Sequence, residues 1–286
     1  MAEINQTYVP LSSLKLSIFD IDGVIVRGKL PMPGAAEAVA FMRGRGIGVR
    51  FLTNNSTLTR QHYADMLSGM GIPCEVGDVM NSARATALYL QEKNLAKGRV
   101  VVIGEKGLLE ELAGAGIQAV HWSQAERADA VVVGLDRAFN YEALKKAQQW
   151  ILGGAAFVAS NRDGSYPVEN GLIPGAGSVV AAIEAAAATK PHLVGKPNTF
   201  MLDKVMAEAK AEPQLTLLVG DRLETDIELG RRAGAWTALV LTGVTDREAA
   251  DRLPLDRRPH IILETLQDLP ALFPAYQGPA ATYPGG

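Results

Sequence analysis

Cysteine is nearly absent from this chain. Cys74 is the single one, so no intrachain disulfide can form. One thiol suits a reducing compartment, and Cys74 reads as an incidental residue rather than a nucleophile. Long apolar runs are missing too. No stretch approaches the roughly 18 apolar residues of a membrane helix. The richest candidate, Ser178 to Ala188, is alanine-rich and interrupted by Glu184. The opening MAEINQTYVPLSSLK lacks a cationic stretch ahead of an apolar one, so it does not read as a secretory signal. A cytoplasmic location and no membrane partner are expected. Positive charge is scarce as well: 28 Lys and Arg stand against 31 Asp and Glu, a net −3. With no basic run longer than two residues, a nucleic-acid partner is not expected. The four histidines, His62, His121, His192 and His260, show no zinc-ligand spacing. No repeat of fixed period occurs.

What is present is apolar material for sizeable cores, 48% of 286 residues, enough for about two domains. Short apolar runs alternate with helical patterns. Strands are expected at Leu16–Asp20, Gly48–Thr53, Val100–Gly104, Ala130–Gly134, Phe157–Ser160, Leu215–Gly220 and Thr237–Thr242. Helices are expected at Ala36–Arg43, Arg60–Gly69, Gly107–Ala115, Tyr141–Leu152, Ser178–Ala188, Thr199–Ala209 and Thr225–Ala233. Such alternation indicates crossover units and parallel sheets, an α/β fold. Runs such as AVVVGL suit strands covered on both faces. The last stretch, Pro270–Gly286, carries four prolines and three glycines and is expected to hold little regular structure.

Ligands of open α/β sheets bind beyond the carboxyl ends of the strands. The first strand exits into Asp20-Ile21-Asp22-Gly23, the second into Thr53-Asn54-Asn55. Val194-Gly195-Lys196-Pro197 comes later, and LLVG exits into Asp221, with Asp226 five residues on. A strand-end aspartate is often only a helix N-cap. Carboxylates, a hydroxyl and a lysine at four successive exits match phosphoryl transfer to a carboxylate. Asp20 can attack phosphorus and split one hydrolysis into two steps. Asp22 can protonate the leaving oxygen and later take a proton from water. Two carboxylates repel a phosphate dianion, so a cation is required. Mg²⁺ takes oxygen ligands, and Asp20 and Asp221 can supply them. The Thr53 hydroxyl can hold a phosphoryl oxygen, and Lys196 can offset shared negative charge.

These runs, Phe19-Asp20-Ile21-Asp22-Gly23-Val24, Leu52-Thr53-Asn54-Asn55, Gly195-Lys196-Pro197 and Val219-Gly220-Asp221-Arg222-Leu223-Glu224-Thr225-Asp226, resemble the haloacid dehalogenase superfamily. More narrowly, they resemble its phosphatases with a type IIA cap: the NagD-like, para-nitrophenylphosphatase, phosphoglycolate phosphatase and pyridoxal phosphatase group. The resemblance implies a Rossmann-like, doubly wound parallel-sheet core with an inserted α/β cap domain. It implies an aspartyl-phosphate on Asp20 and acid/base work by Asp22, whose backbone carbonyl also meets Mg²⁺. Thr53, Lys196 and Asn54 backbone donors would hold the phosphoryl group. Asp221 would complete the metal site, supported by Asp226. The expected substrate is a small phosphorylated metabolite. Phosphoglycolate, a nucleotide monophosphate, a sugar phosphate, pyridoxal phosphate and the generic p-nitrophenyl phosphate all stay open. Caps of this type can dimerise, so a homodimer stays open too.

Spacing independently supports an insertion. Asp20 to Thr53 is 33 residues and Lys196 to Asp221 is 25, each one crossover unit, but Thr53 to Lys196 is 143. The expected division is a core of 1–81 and 191–286 with a cap of 82–190. Within the cap, Ser160-Asn161-Arg162-Asp163-Gly164-Ser165-Tyr166 follows a strand and is dense in polar groups. In the family this loop reads the leaving group, which makes Asn161, Asp163 and Tyr166 the candidate specificity residues. Members acting on pyridoxal phosphate often carry histidine where Tyr166 falls. Gly175 and Gly177 are expected to make the turn from cap back to core. Two other readings use the same residues: a receiver-like phosphoaspartate signalling domain, and a catalytically idle small-molecule binder. Receiver domains are about half this length and place their acidic pair on a separate strand.

Overall fold

The computed structural model describes residues 3–4, 11–168 and 171–273. Its larger sheet has seven strands in the order Glu3–Ile4, Ile261–Leu263, Trp236–Val240, Thr216–Gly220, Leu16–Asp20, Gly48–Thr53 and Val79–Asn81. All neighbours run parallel except the antiparallel edge strand Glu3–Ile4. Side chains alternate across this sheet, as the two-residue period of a strand demands. Ile18, Leu52 and Leu218 join one apolar cluster with Leu202 and Met206, while Phe19, Phe51 and Val219 join another with Val39, Met42 and Tyr63. Helices therefore cover both faces, which is the doubly wound architecture.

A second, wholly parallel sheet is inserted after Val79–Asn81. Its order is His192–Leu193, Ala156–Ala159, Ala130–Val133, Val100–Ile103 and Ala119–His121. One face packs on the helices Tyr141–Leu152 and Ala176–Ala187. The other shares a continuous cluster with the helices Ser82–Glu92 and Lys106–Gly114 and with the larger sheet. A small hairpin, Ser165–Val168 with Gly171–Pro174, projects from this unit. No helix among the described residues is long and apolar enough to cross a membrane.

Several elements differ from the sequence reading. Val79–Asn81, Ala119–His121 and Ile261–Leu263 are strands of three residues each, too short to display alternation. The helix Ser82–Glu92 buries mostly small residues, Ser82, Ala83, Ala85, Thr86 and Ala87, which carry a faint periodic signal. Gly175 and Gly177 do not make the return turn. Gly175 is the N-cap of the helix Ala176–Ala187, and Gly177 N–H donates to the Asp163 carbonyl at 2.9 Å. Both glycines let that helix start press on the 162–165 backbone. The second sheet takes its last strand at His192–Leu193. The helix expected from Thr225 begins earlier as a π-turn, Leu223–Ile227, before the α-helix Glu228–Ala233. At Pro270, where an irregular tail is expected to begin, a 3₁₀ helix, Leu266–Leu272, runs through the proline, and Phe273 is buried with its ring 5.3 Å from that of Phe41. Burial of Leu266, Leu269 and Phe273 outweighs the helix-breaking proline. The rest of the tail lies outside the described residues.

Candidate active site

Parallel register brings the strand exits together. Asp20 pairs with Leu52 and Val219 with Phe19, so Asp20, Thr53 and Asp221 emerge side by side at the carboxyl ends of three neighbouring strands. A cleft there is lined by Asp20, Asp22, Thr53, Asn54 and Lys196 from the core side. Asn161, Asp163, Ser165 and Tyr166 close it from the inserted unit.

Asp20 is only 5% exposed. Its Oδ1 accepts from Ile21 N–H at 2.8 Å and pairs with Lys196 Nζ at 2.8 Å. The same ammonium lies 2.6 Å from Asp226 Oδ1. Asp226 Oδ2 accepts from Arg222 N–H at 3.1 Å, so both of its oxygens are engaged. Asp221 Oδ2 accepts from Val244 N–H at 2.8 Å, but its Oδ1 is buried without a hydrogen-bond partner. Gly23, with φ +89°, permits the tight turn beyond Asp20, and a Cβ there would stand 2.5 Å from Asp221 Oδ2.

One carboxylate oxygen from each of Asp20, Asp221 and Asp226 lies within 4.8 Å of the other two. Burial, only partly offset by Lys196, pushes the Asp20 carboxyl well above the ordinary carboxylate range. Burial and the nearby Asp226 carboxylate push Asp221 up to about 7. Burial draws the Lys196 pKa down, but the Asp20 and Asp226 carboxylates outweigh it and raise it on balance, so the lysine stays charged. A crowded carboxylate set with one orphaned buried oxygen is what a hard divalent cation fits.

Asp22 faces the Thr53 side of the cleft, where Thr53 Oγ1 stands 3.4 Å from Asp22 Oδ2. Burial raises its pKa. Thr53 Oγ1 accepts from Asn55 N–H at 3.0 Å. The Asn54 side chain is hydrogen-bonded within the protein. Its Oδ1 accepts from Lys196 N–H at 2.8 Å, and its Nδ2 donates to the Lys196 carbonyl at 3.2 Å and to Asp163 Oδ1 at 3.0 Å. The amide thereby fixes the backbone that carries Lys196.

The three expected specificity residues all reach this cleft, with unequal freedom. Asn161 Nδ2 donates to the Asn54 carbonyl at 2.8 Å, and its Oδ1 accepts from Asp163 N–H at 3.2 Å. Its polar atoms are thus engaged within the protein. Asp163 is tied to Asn54 through one oxygen, and burial raises its pKa. The Tyr166 hydroxyl accepts from Asn55 Nδ2 at 3.2 Å while its ring borders the cleft. Arg222 and Asn55 also line the cleft and were not singled out from sequence. Both directly follow residues that were, Asp221 and Asn54, and adjacency was the available signal.

The sequence of residues 17–118 matches the haloacid dehalogenase-like hydrolase family model, and residues 193–269 match a second, HAD-hydrolase-like model. The chain belongs to the haloacid dehalogenase-like hydrolases. The two matched segments contain Asp20, Asp22, Thr53, Lys196, Asp221 and Asp226. Among family members, the human glycerol-3-phosphate phosphatase is 38% identical over 260 residues, 82% of this chain and 81% of the relative. Phosphoglycolate phosphatase 2 of Arabidopsis thaliana is 37% identical, covering 82% of this chain and 84% of its own length. A glycerol phosphate phosphatase from Mycobacterium tuberculosis, solved in complex with magnesium, superposes with a TM-score of 0.82 at 33% identity, covering 94% of this chain and 79% of that one. It has also been solved in complex with calcium. Relatives of this haloacid dehalogenase-like hydrolase thus act on different small phosphate esters, and one of them has been solved with divalent metal.

Proposed function

We propose that this chain is a magnesium-dependent phosphatase that hydrolyses small phosphate monoesters through an aspartyl-phosphate on Asp20. The observation that carries this reading is the meeting of Asp20, Asp22, Thr53 and Lys196 in one cleft, beside an Asp221 oxygen left without a partner. An Asp20 oxygen attacks phosphorus, and the bond from phosphorus to the leaving oxygen breaks. Asp22 gives that oxygen its proton, so an alcohol departs. Water then attacks the phosphorus of the acyl phosphate while Asp22 takes a proton back. The bond to Asp20 breaks, and inorganic phosphate is released. Thr53 and Lys196 orient the phosphoryl oxygens, and Lys196 offsets charge throughout. Asn54 keeps Lys196 in place through its amide. Asp20 and Asp221, with the Asp22 carbonyl and with Asp226 in support, would hold Mg²⁺, which supplies positive charge against the carboxylate and phosphate oxygens.

The segment from about 82 to 193 acts as the cap over this site. Its hairpin and the Ser160–Tyr166 loop meet whatever lies beyond the phosphoryl group. Small alcohol phosphates, including glycerol phosphate and phosphoglycolate, are the substrate class, in line with the relatives. The test is a panel of phosphate monoesters with the purified protein, with Mg²⁺ and with chelator. Turnover of small monoesters that disappears on chelation and returns with Mg²⁺ is expected. A stable phosphoprotein without turnover would instead indicate a phosphoacceptor.

A further inference from the structure

Glu111 is a buried carboxylate that does not line the cleft, and the mechanism above does not use it. It sits on the cap helix Lys106–Gly114. Its Oε1 accepts from the backbone N–H of Arg60 at 2.6 Å, and its Oε2 pairs with Arg60 Nε at 3.1 Å. Arg60 opens the core helix Arg60–Gly69. The first amides of a helix have no partner within it, and its N-terminus attracts negative charge. Thr59 caps His62 N–H from within the core, and Glu111 caps Arg60 N–H from the cap.

The residues just before Arg60 form the loop that leaves strand Gly48–Thr53, and that loop carries Thr53, Asn54 and Asn55. The cap grips it along its whole length. Asn161 and Asp163 hold Asn54, Tyr166 holds Asn55, and Ser160 Oγ lies 3.3 Å from Ser56 Oγ. Gly107 lies directly against the backbone of Thr57 and Leu58, at 2.6 Å from Leu58 N for a Cβ built there, so no larger residue fits. The Glu111–Arg60 pair closes the far end. It is the ion pair in this row of contacts, and its carboxylate is buried, so losing one partner strands a charge.

We infer that Glu111 is a positioning residue: through Arg60 it locks the cap to the phosphate-binding loop, and so holds Thr53 and Asn54 in the geometry that binds the phosphoryl group. The cap then takes part in binding the phosphate as well as in choosing the leaving group. This rests on the phosphatase reading of the site.

The test compares wild type, Glu111→Gln, Glu111→Ala, Arg60→Ala and the Glu111→Ala/Arg60→Ala double variant, well below their melting temperatures. The readouts are the inhibition constant of inorganic phosphate and kcat/KM for p-nitrophenyl phosphate and for the best alcohol phosphate. Glu111→Ala is expected to weaken phosphate binding about three-fold or more, the scale of coupling between groups in contact. The ratio of kcat/KM between the two substrates should stay as in wild type. Glu111→Gln keeps an acceptor for the Arg60 N–H and should fall between wild type and Glu111→Ala. The double variant should be little worse than Glu111→Ala, whereas Arg60→Ala alone keeps the backbone N–H bond to Glu111 and should be milder. Unchanged phosphate inhibition in a folded Glu111→Ala protein overturns the inference, even if its melting temperature falls. An altered substrate ratio also overturns it, because Glu111 would then act on the leaving group. Absence of Mg²⁺-dependent turnover in wild type instead counts against the phosphatase reading itself.

Discussion

The ammonium of Lys196 bridges Asp20 and Asp226, at 2.8 Å from one carboxylate and 2.6 Å from the other, with all three side chains buried. Removing it leaves two buried carboxylates facing each other. Lys196→Met should therefore lower stability in chelator by about 3–5 kcal/mol, the cost of breaking a buried pair from one side. Urea unfolding of the two proteins measures this. A midpoint equal to wild type would show that the pair contributes little to the fold.

Asp22 and Asp20 should separate kinetically. Asp20→Asn is expected to remove nearly all turnover while keeping the fold, since the change is isosteric and relieves carboxylate crowding. Asp22→Asn should slow esters of aliphatic alcohols far more than p-nitrophenyl phosphate, whose leaving group needs little proton assistance. Near-native activity of Asp20→Asn would rule out the covalent route.

Calcium should occupy the carboxylate site and inhibit. It accepts more oxygen ligands at longer distances than magnesium, so it can engage both oxygens of Asp20 and remove the attacking one. Titrating Ca²⁺ at fixed Mg²⁺ should depress turnover, relieved by more Mg²⁺. Full activity in Ca²⁺ alone would contradict this assignment of the ligands.

Tyr166 and Asn161 should behave differently. Tyr166 borders the cleft, so Tyr166→Ala should alter the kcat/KM ratio between two alcohol phosphates. Loss of one hydrogen bond alone is worth on the order of 0.5–1.5 kcal/mol, about two- to twelve-fold. Asn161 has its amide engaged with Asn54 and Asp163, so Asn161→Ala should slow all substrates in proportion. Proportional slowing of all substrates by both variants would mean that this loop does not read the leaving group.

His260 gives a pH dependence of stability. Its Nδ1 accepts from Thr237 N–H at 3.1 Å, and burial, with the Arg231 charge, lowers its pKa below the ordinary 6.5. The unfolded chain then binds a proton more readily than the native one. The stability contribution is present above pH 6.5 and is lost as pH falls from there through the lower native value. Melting temperatures from about pH 7.5 to about 5 should decline less for His260→Asn than for wild type. Equal slopes would exclude His260 as the cause.

The core of the site was readable in the sequence for a local reason. A parallel sheet aligns its strand ends, so residues at the exits of Leu16–Asp20, Gly48–Thr53 and Thr216–Gly220 converge whatever the loops between them do. Apolar runs ending in Asp20, Thr53 and Asp221 therefore announced both the strands and the site, and the 143-residue gap to Lys196 announced an insertion. Tertiary structure decided the rest. That Asn54 works through its amide depends on Lys196 and Asp163, 142 and 109 residues away. That Glu111 caps a core helix depends on a partner 51 residues distant in the other unit. Neither leaves a periodic or spacing signal, because hydrogen-bond geometry between distant segments is set by how the two sheets dock. The sequence alone determined which groups stand at neighbouring strand exits; packing of the inserted unit against one loop determined how they are held.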